Sequence, residues 1–211
     1  VNEFYKINSY EQMSLVGDVL GPYTLDADEA CEFYNMDDLA LVAAQEDIEA
    51  LGKTFTDYER LILAVPCTTC VCYGGLGDIG KRNIIFPDGT NGMMSFSWDF
   101  EFSKRVVGHE LGHNFGVHHA NKYYCSKNDV EVPFSFECRS SEYGDPYSIM
   151  GSGILPHVGA HNREIGWLDS ANIVTTNEGE YQLRHLGKTY TNGETQLIRV
   201  PIDIETSKYG N

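Results

Sequence analysis

Three histidines and a glutamate stand within eleven residues of one another: His109, Glu110, His113 and His119, in the segment HELGHNFGVHH. On a helix, residues four apart stack on one face, so His109 and His113 point the same way, one turn apart. That arrangement suits two imidazole ligands on a single Zn²⁺. Glu110 lies about 100° round the helix from His109. It is near enough to reach a water on the metal without ligating the metal itself. A third ligand on the same helix would fall along the same line, which tetrahedral geometry forbids. Gly116 removes that obstacle, because glycine takes positive φ and lets the chain turn sharply out of the helix. His119 can then approach from another side, while His118 is one residue out of register and reads as a flanking residue. Three protein ligands leave a fourth position for water, the pattern of catalytic rather than structural zinc. Burying three imidazoles and a carboxylate together without a cation would be costly.

The chemistry implied is hydrolysis. A zinc ion lowers the pKa of bound water toward about 7 and polarises a carbonyl as a Lewis acid. Glu110 takes the proton as the water attacks and passes it to a leaving amine. No covalent acyl-enzyme is required, and no serine or cysteine sits in a nucleophile motif such as Gly-x-Ser-x-Gly.

The elements that must hold these residues are readable from periodicity. A helix is expected from about Phe100 to Phe115, with Phe102 and Val106 continuing the ligand stripe and Val107, Leu111 and Phe115 forming an adjacent apolar stripe. Met94, Phe96 and Trp98 alternate with Ser95 and Ser97, the period of a half-buried strand. Ile84–Phe86 and the apolar run Leu61–Val65 are further strands, and the turn signals Asp88-Gly89 and Asn91-Gly92 follow the first of these. Asp37 to Leu51 reads as a helix capped by Asp37 and Asp38, with Leu39, Val42, Ala43, Ile48 and Leu51 at helical spacing and Gly52 as its stop. Beyond Trp167, alternation at Tyr181, Leu183 and His185 and at Val200, Ile202 and Ile204 predicts two strands. The chain therefore divides into residues 1–170 and a β-rich segment 171–211, the latter either the start of a following domain or an extension of the first. It reads as cut from a longer protein.

Composition narrows the function classes. Hydrophobic residues make up 42% of the 211, enough for a core. No apolar run approaches the roughly 18–20 residues needed to cross a bilayer, so no membrane partner is expected. The formal net charge of −16 repels phosphate backbones and argues against nucleic acid. Six cysteines (Cys31, Cys67, Cys70, Cys72, Cys125, Cys138) suggest disulfides and an oxidising compartment, hence secretion. Cys125 with Cys138 is the favoured pair, since both lie in one loop-like stretch. A structural zinc at Cys67-x-x-Cys70-x-Cys72 lacks a second Cys-x-x-Cys pair. No basic and apolar leader stands at Val1, so a mature or trimmed chain is expected. There is no Asn-x-Ser/Thr sequon.

The string His-Glu-x-x-His-x-x-Gly-x-x-His resembles the signature of the metzincin metallopeptidases, which also carry a methionine-containing turn beneath the metal. Tyr147-Ser148-Ile149-Met150-Gly151 matches that turn, with Met150 lying 31 residues past His119. The fuller string EYGDPYSIMG, Glu142 to Gly151, and the later Gly166-Trp167-Leu168 are similar to the gametolysin family. The match is strongest from His109 to Leu168; before His109 it is only to a general metzincin layout. Ser152 stands where astacins and serralysins place a tyrosine ligand. Gly151-Ser152-Gly153 replaces the proline usual in matrixins and reprolysins, and no domain is inserted before the third histidine as in leishmanolysins. Pappalysins share the first motif, and the immune-inhibitor type of bacterial metallopeptidase is the nearest sibling.

The resemblance implies an α+β, metzincin-like catalytic domain. A twisted mixed sheet and the long active-site helix would lie above a cleft, and an irregular lower subdomain would carry Met150 as a packing residue under the metal. It implies endopeptidase action on extracellular or cell-wall proteins, and an inhibitory prosegment in the precursor. The strand at Met94–Trp98 would be the edge that pairs with extended substrate. Tyr147 is a candidate oxyanion donor, and His157 and His161 are candidates to line a substrate pocket. Asp26/Asp28, Asp78 and Asp88 are candidates for calcium, but no EF-hand spacing exists and surface turns are the better reading. A rival class, a catalytically silent metzincin-like module that binds a protein partner, predicts loss of a ligand or of the base. All four residues are intact. Exopeptidase action is not excluded by the motif alone.

Overall fold

A computed structural model describes residues 1–25, 35–66, 74–132, 138–154, 161, 164–186, 188 and 194–201. Among these residues, three α-helices and several small sheets make a mixed α+β architecture. The helices are α1 (Asn2–Asn8), α2 (Met36–Ala50) and α3 (Lys104–Asn114).

The main sheet is built round the longest strand, β4 (Asn91–Asp99). Strand β1 (Arg60–Ala64) runs parallel to it, with Leu61 beside Phe96 and Leu63 beside Trp98. Strand β2 (Gly75–Gly77) runs antiparallel on the other side, with Gly75 opposite Asp99 and Gly77 opposite Ser97. Strand β3 (Arg82–Ile85) pairs antiparallel with the first half of β4. The order β1-β4-β2 leaves β2 at the edge. The predicted substrate-pairing edge at Met94–Trp98 is therefore corrected: that segment is paired on both sides, and core and edge strands read alike in sequence.

Strand β4 is also buried on both faces, not one. Met94, Phe96 and Trp98 pack with Met36, Leu41, Ala44 and Ile48 of α2. Ser95, Ser97 and Asp99 point the opposite way and are fully buried as well. Small polar side chains there let α3 lie close on the sheet, so the alternation reflects two different coverings rather than core and solvent.

Helix α2 matches its expected span within a residue, and Gly52 at φ +69° ends it. Its cap and its buried face differ from expectation. Asn35 holds the N-cap position without a side-chain cap bond, and Ala40, Leu41, Ala44 and Ile48 face the core while Val42 and Leu51 are exposed. The apolar residues of this helix nearly encircle it, so spacing alone selects the wrong stripe.

A second core lies beneath α3. Phe4 and Tyr5 of α1 meet Val107, Leu111, Val117, Ala120, Ile149, Met150 and Trp167. The Tyr5 hydroxyl donates to the Gly108 carbonyl, and its ring lies 4.9 Å from that of Phe115. A buried bond of this kind contributes about 1 kcal/mol and fixes the helix from below.

Between the third histidine and the methionine segment the chain makes a separate antiparallel sheet, order β6-β5-β7, from β5 (Lys122–Lys127), β6 (Val130–Glu131) and β7 (Cys138–Ser141). Cys125 sits opposite Cys138, and the two form a disulfide as expected. Cys31, Cys67, Cys70 and Cys72 lie outside the described residues. The C-terminal segment differs from its expected form. Its strands are β8 (Ile173–Thr175) and β9 (Leu197–Arg199), paired parallel, while Tyr181–His185 is irregular. Leu183 is more than half exposed, so its alternation has no covering layer. Most of the expected Val200–Ile204 strand lies outside the described residues; Val200 itself follows the end of β9.

Candidate metal centre

Helix α3 begins where Ser103 Oγ accepts from the Val106 amide, at 3.3 Å. Val107 and Leu111 insert into the lower core and set the roll of the helix. Phe102 precedes the helix and is 69% exposed, so the ligand stripe begins at Val106 and not a turn earlier as its spacing suggests. Gly108 permits a close approach from below, since a Cβ there would come within 2.6 Å of Ile149 Cδ1.

His109 and His113 emerge one turn apart with ring centroids 4.8 Å apart. Past Asn114 the chain reverses at Gly116, whose φ is +94°, with the Gly116 amide bonded to the His113 carbonyl and the Val117 amide to the Gly112 carbonyl. This carries His119 back to the other two, and the three donor nitrogens lie within 4.8 Å of one another.

The second bond made by each ring decides what the cluster can do. His109 Nδ1 is 2.6 Å from the Ile149 carbonyl oxygen, His113 Nδ1 is 2.7 Å from the Val117 carbonyl oxygen, and His119 Nδ1 is 2.7 Å from Glu142 Oε1. Carbonyl and carboxylate oxygens only accept, so each Nδ1 carries the proton and donates it. With Nδ1 occupied in this way, Nε2 is the nitrogen each ring has left to offer a metal. His113 Nε2 and His119 Nε2 face each other at 3.1 Å. Two tetrahedral ligands at about 2.05 Å from one zinc ion would lie about 3.3 Å apart, so this pair already has ligand spacing. The donor set fits a zinc ion, and the three acceptors behind it are the outer partners that orient metal-binding imidazoles.

Burial pushes the His113 imidazole down to about 4, against the opposing pull of the Val117 carbonyl, and neighbouring histidines lower it further. His109 is lowered for the same leading reason, and the Ile149 carbonyl again opposes. Both rings are thus neutral at physiological pH, the form that binds metal.

Glu110 is 5% exposed and sits beside β2. Burial raises its carboxyl to about 8, and the charge of Asp99 adds to this. Asp99 is itself raised to about 6 by burial, partly offset by the Ser97 hydroxyl that donates to its Oδ2 at 3.0 Å. Its Oδ1 is buried without a hydrogen bond among the described residues. A cation at the three histidines would favour ionisation of Glu110.

The segment Glu142–Gly153 wraps under and beside the cluster. Asp145 Oδ1 accepts from the Tyr147 amide at 2.8 Å and so organises the turn. A Cβ on Gly151 would fall 2.2 Å from the Asp145 carbonyl oxygen, and one on Gly153 would fall 2.2 Å from that of Tyr147, so both positions need glycine. Met150 is fully buried against Val107, Leu111 and Ala120, and its carbonyl accepts from the Ala120 amide at 2.8 Å. Its neighbour Ile149 supplies the acceptor for His109.

Two residues here carry no role in the sequence reading, although the string EYGDPYSIMG contains both. Glu142 holds His119, and Tyr143 lies against the histidines. The Tyr143 ring centroid is 3.8 Å from that of His119 and 5.7 Å from that of His109, and the residue has φ +58°. Positive φ at a bulky residue is a mark of local strain, common at functional sites. It is a signal that sequence does not display.

The remaining candidates fall outside this cluster. Tyr147 is 66% exposed and makes no ring contact with the three histidines among the described residues. His157 lies outside the described residues, and the imidazole of His161 is lowered by burial. Asp78 is taken up by Arg82 Nε at 3.0 Å and the Phe96 amide at 3.1 Å, and Asp88 by Thr90, as for ordinary turns. Asp26 and Asp28 lie outside the described residues.

The family model described as gametolysin peptidase M11 matches residues 3–210. No curated protein and no solved structure matches the chain.

Proposed function

The chain belongs to the gametolysin peptidase M11 family, and from that premise we propose that it is a secreted zinc endopeptidase that uses Glu110 as its general base. The family is one of metallopeptidases, so the chain is a hydrolase and its substrates are proteins or peptides. The observation that carries the finer reading is the convergence of three imidazole nitrogens next to a buried carboxylate on the same helix.

His109, His113 and His119 would hold the ion, each oriented by its Nδ1 bond. Zinc, when bound there, supplies Lewis acidity toward a carbonyl and toward water. Glu110 accepts the proton of the attacking water and returns it to the leaving amine, and its dry setting strengthens both transfers. Met150 acts as the packing floor of a metzincin-type turn. The lower core that surrounds it and the upper sheet of β1–β4 would form the two walls of a cleft.

The edge position of β2 beside Glu110 supports endopeptidase action. A peptide added along that edge as a further strand extends both ways from the scissile bond. The disulfide Cys125–Cys138 supports an oxidising, extracellular setting. The resemblance extends this reading to extracellular or cell-wall proteins as substrates and to an inhibitory prosegment in the precursor. The family match runs to residue 210, which supports residues 171–211 as an extension of the catalytic domain.

The test is a cleavage profile on a peptide library, wild type beside Glu110→Ala, with zinc assayed in both. The variant is expected to keep near-stoichiometric zinc and to lose at least about 10²-fold in activity. Equal cleavage by the two proteins would sink the mechanism. Wild type that neither contains zinc nor responds to it would sink the metal.

A further inference from the structure

Strand β2 reads Gly75-Leu76-Gly77, and its two glycines lie against the same side chain. A Cβ on Gly75 would fall 2.8 Å from Glu110 Cγ and 2.9 Å from Oε1. A Cβ on Gly77 would fall 3.1 Å from Oε2 of the same carboxylate and 2.7 Å from the Glu110 backbone oxygen. Neither φ is positive, so backbone conformation does not demand glycine at these positions. The demand is for space, which the Glu110 side chain shares with Val106 at Gly75 and with the Glu110 backbone at Gly77.

The register explains why both glycines face it. Residues two apart in a strand point to one face. Gly75 and Gly77 stand opposite Asp99 and Ser97, whose side chains lie on the α3 side of the sheet. Leu76 between them points away and packs with the α2 cluster. One oxygen of Glu110 thus rests against each glycine.

We infer that Gly75 and Gly77 are positioning residues for the general base: together they form a slot, one side-chain atom too narrow for anything but glycine, that holds the Glu110 carboxylate in one orientation. The slot restricts the rotamers of Glu110 without using a hydrogen bond, which leaves both oxygens free for proton transfer. This rests on the role proposed for Glu110, and it adds a catalytic reason for the two glycines to the packing of β2 on α3.

A competing explanation is close packing of β2 on α3, because a Cβ on Gly75 would also approach Val106 Cγ1 at 2.7 Å. The experiment therefore introduces Gly75→Ala into a Val106→Ala parent, where that second clash is removed. Relative to the parent, kcat is expected to fall about 10²-fold, the scale of a misplacement near 1 Å. KM and zinc affinity, the latter read by chelator competition, are expected to stay within about threefold. The same step is repeated in a Glu110→Ala background. There it is expected to change the residual activity by less than about twofold, because its effect passes through the missing carboxylate. Gly77→Ala, which approaches the other oxygen, is the second variant.

A kcat within threefold of the parent overturns the slot, and so does an equal fall in the Glu110→Ala background. Loss of zinc affinity in step with kcat, or failure of both glycine variants to fold, assigns the glycines to the fold and overturns it too. Full activity in Glu110→Ala alone instead removes the general base itself, an outcome separate from these.

Discussion

His113 Nε2 and His119 Nε2 face each other at 3.1 Å, while the Nδ1 atoms of the same two rings are held by the Val117 carbonyl and the Glu142 carboxylate. A cation held by these two rings and the third would bind the folded arrangement and not the unfolded chain.

Removal of zinc is accordingly expected to destabilise the protein. With free zinc at about 100 times its dissociation constant, mass action stabilises the native state by about 2.7 kcal/mol. For a chain of this size that corresponds to a fall of roughly 5–10 °C in Tm on chelation. Differential scanning calorimetry with graded zinc checks it, and a Tm indifferent to zinc contradicts it.

Glu142→Ala is expected to weaken zinc binding about 10- to 100-fold, through loss of the acceptor that fixes the His119 ring. Glu142→Gln keeps an acceptor oxygen without the charge and should fall between. Affinities come from competition with a chromophoric chelator. Unchanged affinity in the alanine variant would make the 2.7 Å contact incidental.

Asp99 gives a pH dependence with a definite sign. Its native carboxyl titrates at about 6, above the ordinary value of about 3.9. Between those two values the native state holds a proton that the unfolded state has released, so stability falls as pH rises and the penalty is complete above 6. Asp99→Asn should abolish that part of the slope in the chelated protein and gain up to about 3 kcal/mol at pH 7. Denaturant titrations at pH 4, 5, 6 and 7 measure it. Parallel curves for the two proteins would refute the assignment.

Gly116→Ala tests the turn. A Cβ there meets nothing within 4 Å, so the cost is conformational only and comes from φ +94°. A loss of about 1–2 kcal/mol in stability is expected, together with weaker zinc binding as His119 is displaced. Gly116→Asn should cost less, since asparagine tolerates positive φ better. An alanine variant with wild-type zinc affinity would free His119 from dependence on the turn.

Local signals in the sequence carry the metal cluster and much of its support. His109, His113 and Gly116 are defined by spacing within one helix and its exit, and Met150 by a short string. What spacing cannot show is which distant group meets each ring. Glu142 is 23 residues from His119, and Tyr5 lies 103 residues from Gly108. Neither separation has a period. Strand β4 shows the same limit at the level of faces. Alternation locates its two sides, but the covering of the serine side by α3 comes from tertiary packing, and so does the choice of β2 rather than β4 as the edge. Tyr181–His185 alternates with no layer to cover it, and pattern alone does not make a strand there.

The sheet β5–β7 leaves the metal cluster just after His119 and returns just before Glu142, with Cys125 joined to Cys138 partway along. The hairpin Ser126–Glu131 beyond that bond is exposed. Exposed loop tips of this kind are preferred places for proteolytic nicking. A nick in this hairpin would leave the two halves covalently joined and the His119–Glu142 contact intact. A cut at one of the most accessible loops would thus leave the histidine site assembled for as long as the disulfide stays oxidised.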